Sequence, residues 1–316
     1  MKHMVYGWLA LGVFAGAVGP GRAAYAFTPI DFPGALQTSA EGINASGQVV
    51  GSYLGQDNTR HGFLFSGGTY ASFDVPGALL TDSYAINNSG QIVGRYVVSS
   101  VAIYGFLLSG STYTTLDVAG SMYTEARGIN DAAQVCGFSA TNFSSPRHGF
   151  LFSNGIYTSF DVPSSIDTIA QGINNTGHIV GTYSDPNVGA VHGFLRSDDS
   201  YIRLDFPGSS ATNAIGINNG ETIVGIYNMN GTHGFVLQNG NYSTLDVPGS
   251  IYTDALGIND LNQIVGTYID GSGTHGYLAT PLAAPVPEPS SRVLLTSGIA
   301  SLLGGTWLSR RGSART

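Results

Sequence analysis

Two residue types able to ligate metals or transfer protons recur at a fixed separation in this sequence. In every copy but the last, the residue that begins the HGF-type segment stands 13 residues before the aspartate of the next D(V/F)PG-type element. The histidines are His61, His148, His192, His233 and His275, and Tyr104 takes their place in the second copy. The aspartates are Asp31, Asp74, Asp117, Asp161, Asp205 and Asp246.

Both patterns favour structural roles. A metal ion needs ligands that converge on one point, whereas one histidine per repeat is spread around the molecule. Carboxylate catalysis needs a pair with unlike environments, whereas six equivalent aspartates have like ones. We predict a shared hydrogen bond for the histidines, turn capping for the aspartates, and no cofactor or metal. Metal binding or catalysis by the histidines, and calcium at turns such as residues 259–262, are the alternatives.

The elements that position these residues form an internal repeat. Successive aspartates are 43, 43, 44, 44 and 41 residues apart, which indicates a repeat architecture. A GIN-type asparagine lies 13 residues after each aspartate, as Asn87 does after Asp74, and only the interval from asparagine to histidine varies in length. The length variation is therefore confined to one loop per repeat.

Composition excludes some classes of protein. Apolar residues at 42% exclude a disordered chain, while 45 glycines and 10% charged residues suit short strands joined by tight turns. Residues 27–285 hold six arginines, no lysine and 19 acidic residues, so nucleic acid is excluded as a partner. The single cysteine, Cys136, replaces a valine of sister repeats and is predicted to be a buried apolar residue.

Each repeat contains the pattern of four strands. These are the GIN segment, a QIVGxY segment after an Asn/Gly-rich turn, the HGF segment, and a YxxxDVP segment that ends at proline. Four antiparallel strands in about 40–45 residues are typical of a propeller blade. We predict a monomeric, all-β, six-bladed β-propeller over residues 27–280, whose N-terminal strand completes the last blade. An open solenoid is the alternative.

Two groups of residues are candidate ligand contacts. The variable loops share one face with the links between repeats, and in one of these loops Phe143 and Arg147 are the side chain types that dominate recognition. The position before the GIN glycine differs between repeats, and Glu41, Tyr84 and Arg127 would form a polar half around the axis. If these three converge, they could also serve a carbohydrate-active enzyme.

The two ends of the chain differ from the repeats. Residues 1–26 have the basic start, apolar run and A-x-A site of a secretory signal peptide, with an uncleaved anchor as the alternative. Residues 281–291 are a proline-rich linker, and residues 292–316 combine an apolar stretch with a basic end that suits a short transmembrane helix.

The C-terminal end resembles the PEP-CTERM sorting signal of Gram-negative bacteria. The resemblance rests on Pro287, Glu288 and Pro289, the apolar stretch, and the arginines Arg310 and Arg311. It implies an exosortase-type processing enzyme as a partner, transient anchoring in the inner membrane, and release to the cell surface or an extracellular matrix. The helix is more polar than is usual for this family, and an ordinary C-terminal anchor is the alternative.

The repeats resemble extracellular HAF repeats in segments such as residues 86–94 and 61–64. This second resemblance implies an extracellular repeat domain and no reaction. Together these features predict an exported, noncatalytic binding or scaffold protein of biofilm, with extracellular polysaccharide as its ligand. The alternatives are a polysaccharide lyase or hydrolase and a purely structural matrix component.

Overall fold

The structure is a computed structural model that describes residues 14–15, 25–99 and 102–282, and the regular secondary structure in these residues is all β-strand. The prediction that residues 27–280 are all-β is confirmed for the residues described. The described residues contain no helix of the length and apolarity needed to cross a membrane. Most of the predicted signal peptide and the sorting residues Pro287, Glu288, Pro289, Arg310 and Arg311 lie outside the described residues.

The described strands form six modules after two N-terminal strands, β1 (Phe14–Ala15) and β2 (Tyr25–Ile30). Module 1 contains β3 (Gln37–Ile43), β4 (Val49–Leu54), β5 (Arg60–Ser66) and β6 (Thr69–Phe73). Module 2 contains β7 (Leu80–Ile86), β8 (Ile92–Ser99), β9 (Ala102–Ser109) and β10 (Thr112–Leu116). Module 3 contains β11 (Tyr123–Ile129), β12 (Val135–Ala140), β13 (His148–Ser153) and β14 (Ile156–Phe160).

The remaining modules have the same strand order. Module 4 contains β15 (Thr168–Ile173), β16 (Ile179–Ser184), β17 (Val191–Ser197) and β18 (Ser200–Leu204). Module 5 contains β19 (Ala211–Ile217), β20 (Ile223–Asn228), β21 (Thr232–Gln238) and β22 (Asn241–Leu245). Module 6 contains β23 (Tyr252–Thr253), β24 (Gly257–Ile258), β25 (Ile264–Asp270) and β26 (Gly273–Pro281).

Consecutive strands within modules 1 to 5 pair antiparallel. In module 6 the position of the fourth strand is taken by β2, which pairs antiparallel with β26 from Tyr25↔Pro281 to Ile30↔Gly276. The strand begins at Tyr25, two residues earlier than the sequence predicted, and both Tyr25 and Phe27 are buried in the core of module 6. The two ends of the described chain therefore share one sheet.

The first strand of each of modules 1 to 5 carries a β-bulge beside the GIN segment. In module 1 the register shifts between Ala40 and Gly42, so Glu41 is the bulged residue, and modules 2 to 5 repeat the shift at the same position. In module 6 the corresponding strand is divided into β23 and β24. A bulge re-aims a side chain away from the plain strand alternation. The side chains of the bulged residues therefore point in a different direction from that expected for a regular strand.

Glycine at the GIN position allows the first strands of adjacent modules to approach closely. A Cβ atom on Gly257 would lie 2.6 Å from the backbone oxygen of Glu41 and 2.9 Å from the Cα of Gly42. Gly172 has the same relation to the backbone oxygen of Ile215, at 2.5 Å. Any larger residue would force the modules apart at this point.

A series of asparagine side chains joins the modules. The Nδ2 group of each GIN asparagine donates to the backbone carbonyl of the next one, and the last asparagine donates to the first. The pairs are Asn44 to Asn87 (3.2 Å), Asn87 to Asn130 (3.1 Å), Asn130 to Asn174 (3.1 Å), Asn174 to Asn218 (3.3 Å), Asn218 to Asn259 (3.0 Å) and Asn259 to Asn44 (3.0 Å). We call these six residues the asparagine ring.

The apolar core lies between modules. Each core cluster joins residues of one module to a valine, or Cys136, from the second strand of the module before it. The cluster of module 1 includes Val265 from module 6 and Ile30 from β2. Cys136 is fully buried, as predicted, and burial raises the pKa of its thiol to about 12.

The asparagine ring predicts that loss of a single asparagine side chain lowers the stability of the protein substantially. Asn87 is 3% exposed, donates to Asn130 and Gln91, and accepts from Ser89 and the Gln91 backbone. Its replacement by alanine leaves buried polar groups without partners, so Asn87→Ala should lower the free energy of unfolding by about 3 kcal/mol. Urea denaturation of the full-length protein measures the loss.

The matched control is Asn241→Ala, because Asn241 is exposed and makes one side-chain bond, to the Asn239 carbonyl. It should stay within about 0.5 kcal/mol of the wild type. Equal stability of the two variants would show that the asparagine ring does not hold the modules.

Candidate ligand-binding face

The repeated histidines and aspartates are hydrogen-bonded to each other. The Nδ1 atom of each histidine lies beside a carboxylate oxygen of the aspartate that follows the next strand, and His275 uses Asp31 of the N-terminal segment. The distances are 2.9 Å (His61–Asp74), 2.8 Å (His148–Asp161), 2.8 Å (His192–Asp205), 3.1 Å (His233–Asp246) and 3.0 Å (His275–Asp31). In the described residues, no group of three or more His, Cys, Asp or Glu side chains is arranged to hold a metal ion.

The bulged residues meet at a central cavity of about 90 Å³, which the first strands of all six modules line. The candidates Glu41, Tyr84 and Arg127 all face this cavity. Gln171 extends the polar part, and Ile215 and Leu256 form the apolar part. The structure thus brings together three residues that lie 43 positions apart in the sequence.

Arg127 is the most connected side chain in this cavity. Its Nε donates to Glu125 Oε2 at 2.5 Å and its Nη1 to Gln171 Oε1 at 3.3 Å. Its guanidinium carbon lies 4.4 Å from the centroid of the Tyr84 ring, which is a cation–π distance. Arg127 therefore spans three modules.

A buried charge network lies beside the central cavity and is joined to it through Arg127. This network was not predicted from the sequence. Asp82 accepts from Arg60 at 2.7 Å and from Arg95 at 2.9 Å, and Arg95 reaches Glu125 at 2.6 Å. The side chains of Asp82 and Glu125 are 2% and 0% exposed. Burial acts to raise the pKa of Glu125, but Arg127 and Arg95 outweigh it and hold that pKa below its usual value.

One signal in the sequence could have found this network. Asp82 and Glu125 stand two residues before Tyr84 and Arg127, and positions two apart in a strand share a face. The sister position holds Asp254 in module 6 but Ser39, Ile169 and Asn213 in the other modules, so an acidic residue occurs there in only half of the repeats. The arginine partners come from other strands and carry no comparable signal.

A second acidic pair lies between modules 6 and 1. Burial, and then repulsion by Glu41, raise the pKa of Asp254 to about 7. Asp254 accepts from the Thr267 backbone at 2.5 Å and from the Tyr252 hydroxyl at 3.2 Å. Burial also raises the pKa of Glu41, whose carboxylate accepts from Ser39 at 2.6 Å. A neutral Asp254 is therefore present in part at neutral pH.

The variable loop of module 3 forms an open cleft of about 350 Å³. Both loop candidates line it, and the side chain of Phe143 is 55% exposed with its ring centroid 5.7 Å from that of Tyr123. Arg147 pairs with Asp167, with 3.1 Å between Nη2 and Oδ2. A second cleft of about 250 Å³ shares Arg147 and Asp167 and extends to Gln171 at the central cavity. We call the first of these the loop cleft.

No family model and no curated protein matches this chain. Solved structures do resemble it. A fucose-specific lectin from Aleuria aurantia has a TM-score of 0.47 and 13% identity over 79% of this chain and 98% of its own. AofleA from Arthrobotrys oligospora has a TM-score of 0.49 and 11% identity over 84% and 94%. Trypanosoma rangeli sialidase has a TM-score of 0.48 and 7% identity over 87% and 58%. Likenesses this distant carry no argument about what the present chain binds.

The raised pKa of Asp254 predicts how stability depends on pH. The folded protein binds the proton more tightly than the unfolded chain, whose aspartates titrate near pH 3.8–3.9. Stability from this group is therefore complete below about pH 4 and is lost as the pH rises to about 7. Asp254→Asn mimics the neutral acid, so its free energy of unfolding relative to the wild type should rise by about 4 kcal/mol between pH 4 and pH 8.

Urea denaturation at several pH values measures this difference. The control is Asp199→Asn, because the side chain of Asp199 is fully exposed. Its stability should follow the wild type at every pH. A constant difference between Asp254→Asn and the wild type would mean that Asp254 has an ordinary pKa.

Proposed function

We propose that this chain is an exported, noncatalytic binding module for polysaccharide, built on a closed six-bladed β-propeller. The pairing of β2 with β26 and the hydrogen bond from Asn259 to Asn44 support closure, because both join the first module to the last. An open solenoid would keep its terminal repeats apart. The six asparagines, one per module, support the blade number.

The loop cleft is the ligand site of this proposal, and the observation that carries it is the meeting of Phe143, Arg147 and Asp167. A sugar ring offers an apolar face of C–H groups and a rim of hydroxyls. The exposed Phe143 ring can cover such a face, while the Arg147 and Asp167 groups can donate to and accept from adjacent hydroxyls. The cleft is open at the surface. This shape suits a polysaccharide that runs through it better than a small ligand that must be enclosed.

Charge narrows the class of polymer. The loop cleft contains one basic and one acidic group already paired, and residues 27–285 hold 19 acidic residues against six arginines. A polyanion would be repelled by this field. The proposed ligand is therefore a neutral polysaccharide or one that carries amino groups.

The central cavity gives less support to the rival lyase or hydrolase. A cavity of about 90 Å³ accommodates a few water molecules and not a sugar ring. The charges beside it are paired with one another, since Arg95 and Arg127 contact Glu125 while Arg60 and Arg95 contact Asp82. Glu41 with Asp254 is the feature that an enzyme would use, because it joins two carboxyl groups of raised pKa.

Co-sedimentation of the full-length protein with the extracellular polysaccharide of the producing strain, followed by sizing of the polymer, tests these functions. We expect retention with unchanged polymer length, weakened about 10-fold by Phe143→Ala or Arg147→Ala. The control is Ile156→Ala, an exposed apolar residue of the same module outside the cleft, which should bind like the wild type.

Two other results would replace the proposal. Shortened polymer, abolished by Glu41→Gln or Arg127→Ala, would establish the enzyme. Neither retention nor shortening would leave a purely structural or protein-binding role.

The proposal of export rests on the sequence, where Pro287, Glu288, Pro289 and the terminal arginines resemble an exosortase signal. The protein would be anchored briefly in the inner membrane and then delivered to the cell surface or the biofilm matrix. Cell fractionation with mass spectrometry should find wild-type protein outside the cell and shortened at its C-terminus. Replacement of residues 287–289 by alanine should leave a full-length protein in the membrane fraction, while Ser290→Ala should behave like the wild type. Equal processing of both variants would remove the sorting role.

A further inference from the structure

Exposed apolar side chains recur at one position of the repeat. The position lies five residues after the D(V/F)PG-type aspartate, in the link that enters the first strand of the next module. The exposed fractions are 48% for Leu36, 61% for Leu79, 42% for Met122, 52% for Ile166 and 79% for Ile251. Module 5 has Ser210 at this position. We call the five large residues the apolar ring.

The backbone holds the apolar ring in place. The amide of Leu79 donates to the Val97 carbonyl at 2.6 Å, and the amide of Ile251 donates to the Ile269 carbonyl at 2.9 Å. The other members, and Ser210, make the same bond to the end of the second strand of their own module. The side chains therefore project to solvent from fixed positions. Little ordering is needed when a partner covers them, which favours binding.

The variable loops extend the same face with more exposed apolar residues. These are Val98, Phe143, Val188 and Met229. Single exposed apolar residues need no explanation, but a repeated set on one face of the molecule marks an interaction surface. The loop cleft occupies only the part of this face around Ile166.

Acidic groups surround the apolar ring. The repeated aspartates that precede it in sequence are partly exposed, with 42% for Asp31 and 45% for both Asp74 and Asp161, and Asp57 in a variable loop is 59% exposed. The arginines near this face are already bound, Arg60 and Arg95 to Asp82, Arg147 to Asp167, and Arg203 to Asp205. The surface thus combines apolar contacts with negative charge.

We propose that the apolar ring docks a protein segment whose apolar side chains are flanked by lysine or arginine. Charge complementarity selects this occupant, because basic groups would pair with the exposed aspartates while the apolar side chains cover the ring. A second copy would bring two acidic faces together, and an anionic lipid surface would be repelled. The site overlaps the polysaccharide contact only at Ile166, since Leu79 and Ile251 do not line the loop cleft.

Fluorescence anisotropy with the full-length protein tests this proposal. The probe is a labelled helical peptide of about 18 residues with leucine on one face and lysine on the other, and the comparison peptide carries glutamate in place of lysine. We expect the lysine peptide to bind at least about 10-fold more tightly than the glutamate peptide, and to weaken as salt rises.

The sequence of module 5 indicates which substitution to make in the apolar ring. Ser210 shows that serine fits this backbone position, so Leu79→Ser with Ile251→Ser should keep the fold and lower the affinity for the lysine peptide about 10-fold. Leu261→Ser is the control, because Leu261 is 63% exposed in the turn between the first and second strands of module 6. It should bind like the wild type, and the double variant should retain polysaccharide like the wild type.

Several results would overturn the proposal. Equal affinity for both peptides, absence of binding, or a double variant that binds like the wild type would show that the ring does not bind a basic segment. Self-association in sedimentation velocity that is lost in the double variant would assign the ring to a second copy. Flotation with zwitterionic vesicles that is lost in the double variant would assign it to a lipid surface.

Discussion

The side chain of Asn44, like those of its five counterparts, stabilises its own turn and also binds the next module. Each Oδ1 atom accepts backbone amides within its own turn, as Asn44 does from Ser46 and Gln48, while each Nδ2 group donates to the main chain of the next module. The turn that fixes the asparagine is therefore the turn that fixes the neighbouring module. Because glycine beside the asparagine allows the close approach of the first strands in every module except module 2, which has Ala85, the GIN segment sets the spacing between neighbouring modules. The core clusters, which take residues from two modules each, depend on that spacing.

Much of this arrangement is readable from the sequence. The 13-residue spacing of His61 and Asp74 corresponds to a hydrogen bond between neighbouring strands, and the shared position of Glu41, Tyr84 and Arg127 corresponds to one cavity. Both follow from periodicity, because equivalent positions in a repeat have equivalent surroundings.

The remainder depends on contacts that periodicity does not encode. The β-bulge at Glu41 arises from a shift in pairing and not from a residue type. Arg60 reaches Asp82 across 22 positions of sequence, and Arg95 links Asp82 to Glu125 in the next module. Such pairs depend on the rotation between modules, which the pattern of apolar residues leaves open. The loop cleft is similar, since Asp167 comes from a different module than Phe143.

Several residues that depart from the repeat lie in module 3. Tyr123, Glu125 and Arg127 lie on its first strand, Phe138 is on its second, and Phe143 is in its loop. The Tyr123 hydroxyl donates to Glu125 at 2.6 Å while its ring contacts Phe143, so one residue connects the buried charge network to the loop cleft. Module 3 thus contributes to both the buried charge network and the loop cleft, whereas the asparagine ring has the same residue in every module.

The sheet of module 6 has a consequence for the order of events during synthesis. Strand β2 is made before the strands of module 6, so the edge of β2 that pairs with β26 stays open until about 250 residues have followed it. Until then a strand edge with buried-type side chains is open to other chains, which is a state that favours aggregation. The five preceding modules each pair four strands that are contiguous in sequence. Their sheets can form as the chain emerges, whereas the sixth is completed only at the end, and that last step is the slow, non-local one.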